Sequence, residues 1–532
     1  MAVADWFLTA RERDNPDTGI DRRHPGGAAW SVGNQVEPLI HGATYFAALL
    51  ESLRATREGD LVLFTDWRGD PDERLAGPGT EISRVLSEAA ARGVLVRGLI
   101  WRSHLDRFQF SEQQNRHLGE EIVQAGGQCL LDMRVRPGGS HHQKFVVIRH
   151  PGRPGLDVVF VGGIDLCHSR NDDARHLGDP QRQPMARVYG PRPPWHDAQV
   201  RIRGPAVADV EAAFRERWDD PTPLSRNPIH RIRDRLSGES GSRALPAQLP
   251  DPADQGTHAV QLLRTYPYRG RIAAYPFAPR GERSVARGYR KAVRRARALV
   301  YLEDQYLWSA EIVSAFADTL RREPSLRMIV VLPRYPDQDG RVSRPPNLVG
   351  RIDAVRMLRR AGGERFAVYS PENHDGVPVY VHAKVCVIDD VWACVGSDNV
   401  NRRSWTHDSE LSCAVLDETR DARSPADPAG RGDGARVYAR QLRLRLAREH
   451  LDLDSDEALL DPVQAFETFA DSAADLELWS RAGRTGPRPP GRLRPYRLPT
   501  LSEGTMRWAR PAYSGIYDPD GRPSRLRRNG AF

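Results

Sequence analysis

Lysine is almost missing from this chain. Of its 78 basic residues only three are lysine, Lys144, Lys291 and Lys384, and arginine supplies the rest. Cysteine is scarce too: Cys129, Cys167, Cys386, Cys394 and Cys413 are odd in number, scattered and without Cys-x-x-Cys spacing. That pattern excludes a disulfide framework and a cysteine-held zinc site, and it fits a reducing compartment. No run approaches the ~18 apolar residues of a bilayer-spanning helix. The opening "MAVADWFLTARERDNPDTG" has no basic segment leading into an apolar one, so no secretory signal is read. A cytoplasmic protein, at most peripheral to a membrane, is expected.

What is present is an ordinary globular composition. The 532 residues, 39% apolar and 28% charged, suffice for two to four domains with cores large enough to enclose a site. A net charge of +8 and a pI near 9.4 favour anionic partners such as phosphates, nucleic acid or an acidic membrane face. General enrichment in arginine would produce the same balance without any such partner.

The rare lysines are not placed at random. "HHQKFVVIRH" (141–150) and "VHAKVCVIDD" (381–390) each set a lysine two residues after a histidine, before a β-branched run. With 16 histidines and three lysines in the chain, two such pairs arise by chance in roughly one sequence in a few hundred. A compact ammonium with three rotatable donors does not substitute for a planar guanidinium, so a site needing the former resists arginine.

The pairs belong to a longer repeat. "TYFAALLESLRATREGDLVLFTDW" places Tyr45, Phe46, Leu49, Leu50 and Leu53 on one helical face before a strand at 61–64. "GYRKAVRRARALVYLEDQYLW" does the same with Tyr289, Val293 and Ala296 before a strand at 299–302. A second amphipathic helix follows in each half, with Ile82, Val85, Leu86 and Ala89 or with Ile312, Val313, Phe316 and Leu320, and then strands at 94–100 and 327–333. "AGG" recurs before a further strand at Ala125 and Ala361. Offsets of 299−61 = 238, 361−125 = 236 and 382−142 = 240 indicate duplication of one α/β unit. The expected fold is α/β, with two duplicated domains whose helices flank mixed sheets. The expected boundaries are 1–34 for an extension, 35–218 for the first half, 219–257 for a Pro/Ser/Gly-rich linker, 258–470 for the second half and 471–532 for a Pro/Arg-rich surface tail.

Side chains two apart on a strand share a face, so His142 with Lys144 and His382 with Lys384 project side by side. The returning strands end in Gly162–Gly163 and Gly396–Ser397, where small residues admit close approach. Asp165 and Asn399 fall at matching places beyond them. "WHDAQVRIRG" and "THDSELSCAV" share His-Asp-x-Gln/Glu, offering Asp197, Asp408 and Glu410 as partners for the histidines, with Asp197 and Asp408 equivalent in the repeat. By alternation His141 should face solvent, and His168, His196 and His407 have no evident pairing. Asp389, five residues past Lys384, turns to the opposite face and reads as a turn or ion-pair residue. In the first copy Arg149 stands there, and Asp157 is a candidate replacement for the missing carboxylate.

His382, Lys384, Asp389, Gly396, Ser397 and Asn399 together resemble the phospholipase D superfamily signature, His-x-Lys-x4-Asp followed by Gly-Ser-x-Asn. The first half is similar through His142, Lys144, Gly162 and Gly163, except for Arg149. "FVGGIDLCHSRNDD" and "VYLEDQYLW" resemble segments of the eukaryotic-type enzymes, and the likeness extends over roughly residues 35 to 415. The resemblance implies two halves related by a pseudo-twofold axis, sharing one metal-free site with no cofactor. It also implies phosphodiester transfer through a phosphohistidine. On the family pattern His142 is the nucleophile, His382 the general acid, and Lys144, Lys384 and Asn399 hold the phosphate. A phospholipid or other phosphodiester is the expected substrate, with possible peripheral contact to an anionic membrane, and the protein is expected to be a monomer. A nuclease-type phosphodiesterase on the same fold, or a non-catalytic phosphate- or lipid-binding module with a decayed first motif, are the alternatives.

Overall fold

Apolar residues at helical spacing dictate which faces are buried. In the computed structural model, which describes residues 2–103, 112–236, 241–340 and 342–532, helix Gly42–Arg54 buries Tyr45, Phe46, Leu49, Leu50 and Leu53. Its counterpart Ser284–Arg295 buries Tyr289 and Val293, with Ala296 buried at its end. Helices Ile82–Ala91 and Ala310–Arg322 likewise turn inward the positions that their periodicity selects.

The strands are β1 (Ser31–Leu39), β2 (Leu61–Asp66), β3 (Leu95–Trp101), β4 (Gln128–Asp132), β5 (Phe145–Arg149), β6 (Val158–Gly162), β7 (Trp195–His196), β8 (Gln199–Arg203) and β9 (His258–Tyr266). They continue as β10 (Glu282–Arg283), β11 (Leu299–Glu303), β12 (Arg327–Val331), β13 (Phe366–Pro371), β14 (Tyr380–Val381), β15 (Val385–Ile388), β16 (Trp392–Gly396), β17 (Glu410–Asp417) and β18 (Leu493–Pro495). All but β7 and β14 join one mixed sheet in the order β18-β13-β12-β11-β15-β16-β17-β9-β1-β8-β6-β5-β2-β3-β4, with β10 attached to β9. Read outward from the antiparallel β9–β1 pair, the two directions match strand for strand as far as β13 and β4, with β18 added beyond β13 and β10 beside β9. The duplicated units are therefore the two wings of one sheet about a central pseudo-twofold.

Layering follows from that order. On one face a single core crosses both wings, packing strand residues such as Leu63, Val147, Val385 and Val387 against helices Ala206–Trp218, Val437–Leu451 and Pro462–Arg481. On the other face each wing keeps a separate core, one around Phe46, Leu86 and Phe160 and the other around Tyr289, Phe316 and Trp392. The N-terminal extension is tied to the second of these through buried Trp6, Phe7 and Leu8.

The outer segments depart from the expected boundaries. Helix Pro228–Leu236 lies within the stretch expected as linker, of which residues 237–240 lie outside the described residues. Helix Pro462–Arg481 runs across the boundary expected at 470. The tail does not merely lie on the surface: β18 pairs antiparallel with β13, burying Leu493. Proline and arginine concealed this strand, since Pro495 tolerates only an edge position.

Candidate active site

Each histidine is carried on backbone pinned to the opposite wing. β14 pairs in parallel with β7, and the His382 N–H donates to the His196 carbonyl at 2.8 Å. Correspondingly His141 bridges to Ser409, and the His142 N–H donates to the Ser409 carbonyl at 2.9 Å. The side chains cross in the same sense. His142 Nδ1 meets Glu410 Oε2 at 2.8 Å, and His382 Nδ1 meets Asp197 Oδ2 at 2.7 Å. Engaging Nδ1 fixes each ring and leaves Nε2 for chemistry. His142 is the more accessible, with 15% of its side chain exposed against 7% for His382.

The lysines fold back beside their histidines. Lys144 Nζ donates to the His142 carbonyl at 3.0 Å and lies 3.5 Å from Asp165, while Lys384 Nζ donates to the His382 carbonyl and to Gln305 Oε1. The four groups share one electrostatic neighbourhood: burial first, then the Lys144 and Lys384 ammoniums, hold His142 well below its ordinary range. Burial and Lys384 lower His382 to about 3, and burial lowers Lys384 itself to about 8, with Lys144 acting in the same direction.

The two orienting carboxylates differ. Burial would raise Asp197, but the His382 imidazole and its hydrogen bond outweigh that and bring it to about 2. At Glu410 burial wins, raising it to about 8 despite Lys144 and Ser397. Ser397 Oγ donates to Glu410 at 2.6 Å and accepts the Leu411 N–H at 3.1 Å, so the serine after Gly396 orients the carboxylate. Trp195 Nε1 donates to Asp197 at 3.2 Å.

The glycines are required by the strand contacts. A Cβ on Gly396 would lie 1.7 Å from Ser412 Oγ, one on Gly162 2.3 Å from Gln199 Oε1, and one on Gly163 2.5 Å from Asp197 Oδ1. Asn399 is buried, and its Oδ1 has no hydrogen-bond partner among the described residues. Asp165, expected to be structural, forms ion pairs with both Lys144 and Arg170 at 3.5 Å and so acts as counter-ion to a site lysine.

Three expectations are corrected. Asp408 touches neither His142 nor His382; it accepts from Ser140 N and Oγ at 3.0 and 2.9 Å and pairs with Arg403. Strand register explains the error. Gly162 faces Gln199 and Gly396 faces Ser412, so Asp197 corresponds to Glu410, two residues from the alignment that the shared His-Asp suggested. His141 does not face solvent: it is fully buried beside Gln143, because Asp132 at the end of β4 and Arg217 of helix Ala206–Trp218, both in its own half, close over it. Asp157 does not replace the carboxylate of Asp389. Asp389 accepts the N–H groups of Arg297, Ala298 and Leu299 at 2.8–2.9 Å, closing the loop before β11. The loop before β2 is closed from within by Asp60, which accepts the Arg57 N–H at 2.9 Å. Arg149 instead pairs with Asp157 and Glu211 at 2.9 and 2.6 Å.

A layer behind Asp197 escaped the sequence reading. His196 Nε2 meets Glu303 at 2.6 Å, and His450 Nε2 meets the same carboxylate at 2.8 Å. His41 and His176 meet Glu449 at 2.9 and 3.0 Å through Nε2, while their Nδ1 atoms reach the Asp197 and Trp195 carbonyls. His168, also left unpaired, meets Asp72 at 3.0 Å. His41, His176, His196 and Glu449 place ligand atoms within 4.8 Å of one another, a donor set suited to a zinc-type cation. The rings and carboxylates also satisfy one another directly, and of the ring nitrogens facing Glu449 only His196 Nδ1, at 3.6 Å, lies beyond hydrogen-bond reach. Glu303 had a signal in "VYLED", where alternation turns Tyr301 and Glu303 to one face. Glu449 and His450, on a distant helix, had none.

A family model described as "Phospholipase D" matches residues 124–315, and one described as "Cardiolipin synthase, PLD-like domain" matches residues 289–423. The chain is similar to Phospholipase D alpha 1 of Arabidopsis thaliana, 26% identical over 514 residues, covering 74% of this chain and 61% of that protein. It is also similar to Phospholipase D1 of Schizosaccharomyces pombe, 24% identical over 493 residues, covering 74% of this chain and 34% of the other. The chain thus spans at most about three-fifths of the length of these two relatives. A solved phosphatidylserine synthase from Haemophilus influenzae Rd KW20 shares the fold, with a TM-score of 0.52 and 15% identity over 85% of this chain and 94% of that one.

Proposed function

The chain belongs to the phospholipase D superfamily, and on that premise we propose that it cleaves the head-group phosphodiester of phospholipids and passes the phosphatidyl group to water or an alcohol. The observation that carries this reading is the crossed pair of couples, His142–Glu410 and His382–Asp197, each with a lysine alongside. A phosphodiester needs a nucleophile, a proton donor for the leaving alkoxide and fixed positive charge on the phosphoryl oxygens.

In the proposed sequence the anionic phosphodiester, bound between Lys144 and Lys384, offsets the burial and ammonium charge that keep His382 neutral in the free site and lets it carry a proton on Nε2. His142 Nε2 then attacks phosphorus while His382 gives that proton to the departing head-group oxygen. Water or an alcohol then attacks the phosphohistidine, with His382 taking back a proton. Ionised Asp197 favours this order, because a carboxylate at Nδ1 stabilises the imidazolium that an acid must be. Lys144, Lys384 and Asn399 hold the phosphoryl oxygens. General-acid transfer supplies on the order of 10²–10⁴ in rate. One ammonium about 4 Å from a developing anionic oxygen interacts by roughly 4 kcal/mol at an effective dielectric of 20, of which only the excess in the transition state counts.

Incubation with phosphatidylcholine and ethanol should yield phosphatidylethanol, and rapid quenching should trap acid-labile phosphate on His142. His142→Asn should abolish that label. A label persisting on His382 would reverse the two roles, and release of nucleotides from DNA with none from lipid would overturn the substrate assignment.

A further inference from the structure

Helix Pro228–Leu236 is built inside out. Its only acidic residue, Asp234, is buried and forms a two-pronged ion pair with buried Arg102 at 2.6 and 2.7 Å. At 3.6 residues per turn, Ile229, Ile232 and Leu236 fall within a stripe about 60° wide, roughly opposite Asp234. That stripe faces outward, with Ile229 68%, Ile232 58% and Leu236 85% exposed. A globular helix normally does the reverse, and a contiguous exposed apolar stripe marks a contact surface.

Its position relative to the site follows from a chain of contacts. Arg102 comes directly after Trp101 at the carboxyl end of β3. Trp101 stacks on Trp67 with ring centroids 5.5 Å apart, and Trp67 meets the His142 ring edge-on at 6.0 Å. The stripe thus stands beside the end of the sheet that carries His142, whose side chain is 15% exposed. Arg226, just ahead of the helix, donates to the Arg269 carbonyl at 3.5 Å, bringing alongside the loop on which Ile272 is fully exposed.

Among the described residues bordering the stripe the charges have one sign. Arg226, Arg231, Arg235 and Arg271 are exposed, and residues 223–236 contain no acidic side chain besides the neutralised Asp234. We propose that this face docks on an anionic phospholipid surface, with Ile229, Ile232 and Leu236 entering the headgroup–acyl boundary and the arginines engaging lipid phosphates. Isologous pairing with a second copy would set arginines against arginines, whereas an acidic bilayer answers both the apolar stripe and its basic border. The proposal rests on the phosphatidyl-transfer reading, because it presents the mouth of that site to its substrate.

The test compares the parent protein with Ile232→Asp/Leu236→Asp on phosphatidylcholine vesicles with and without phosphatidylglycerol. Sedimentation should show the parent binding the anionic vesicles and the variant binding at least ~10-fold more weakly. Head-group release from vesicles should fall in parallel, while hydrolysis of soluble bis-nitrophenyl phosphate stays unchanged, which also shows that the variant is folded. Independently, Ile232→Trp should give an indole emission quenched by brominated lipid. Equal vesicle binding by parent and variant, or no quenching, overturns the proposal. So does a parent dimer in solution that the variant disrupts, which would assign the stripe to a second copy. Failure of the functional reading looks different: the parent would bind vesicles through this helix yet release no head group.

Discussion

At the residue scale, the chemistry depends on partners that hold a ring or a loop in place more than on the motif residues alone. Asp197→Asn keeps the shape but removes the charge facing His382, so kcat should fall on the order of 10²-fold or more. Assays on both lipid and bis-nitrophenyl phosphate check this. The loss should be larger on lipid, whose alkoxide leaving group needs the proton, than on bis-nitrophenyl phosphate, whose nitrophenolate departs unaided, and a loss no larger on lipid would contradict it. Asp389 shows the structural counterpart. Its carboxylate satisfies three backbone donors, and Asp389→Ala should cost about 3 kcal/mol in denaturant unfolding, because buried N–H groups would be stranded. Burial raises Asp389 to about 6. A carboxyl raised on folding contributes stability that is complete below about 3.8 and lost as pH rises through about 6. Asp389→Asn retains an acceptor without the charge and should therefore cost less than Asp389→Ala at pH 7.

At the element scale, much of the architecture is legible in the sequence because it depends on periodicity. The paired helices declared their faces through Tyr45, Leu49, Tyr289 and Phe316, and the glycines ending β6 and β16 marked where strands come close. Register is different. His-Asp-x-Gln and His-Asp-x-Glu looked equivalent, yet pairing of Gly396 with Ser412 puts Glu410, not Asp408, opposite Asp197. A strand's register is set by its neighbours, and a two-residue slip preserves alternation, so the sequence pattern could not reveal it. The Gly396–Ser412 contact provides the test. Gly396→Ala would press a methyl group into Ser412 and should destabilise by ~3 kcal/mol. Ser412→Gly in the same chain removes the side-chain clash and should restore part of the loss, whereas no recovery would mean that the clash with Ser412 Cα dominates.

At the scale of the whole molecule, the candidate active site exists only where the wings meet, since both motif couples, His142–Glu410 and His382–Asp197, join one half to the other. The residues proposed as catalytic were visible in the sequence because they sit on short motifs, but Glu303, Glu449 and His450 were not, because their contacts arise from packing between segments far apart in the chain. The crossing also sets the pH response. Lys384 loses its proton through about 8, weakening attraction for an anionic phosphodiester, and Glu410 gains negative charge over the same interval. Both changes oppose substrate binding, so kcat/KM on soluble bis-nitrophenyl phosphate, which reports the free enzyme, should fall above pH 8. With two groups ionising together, the limb should approach a slope of two protons. Glu410→Gln removes one of them, so the alkaline limb should persist with a slope near one and a lower plateau, since glutamine orients His142 less well. A wild-type profile flat to pH 10 would show that neither group acts on the bound phosphate, and an unchanged slope in Glu410→Gln would assign the limb to Lys384 alone.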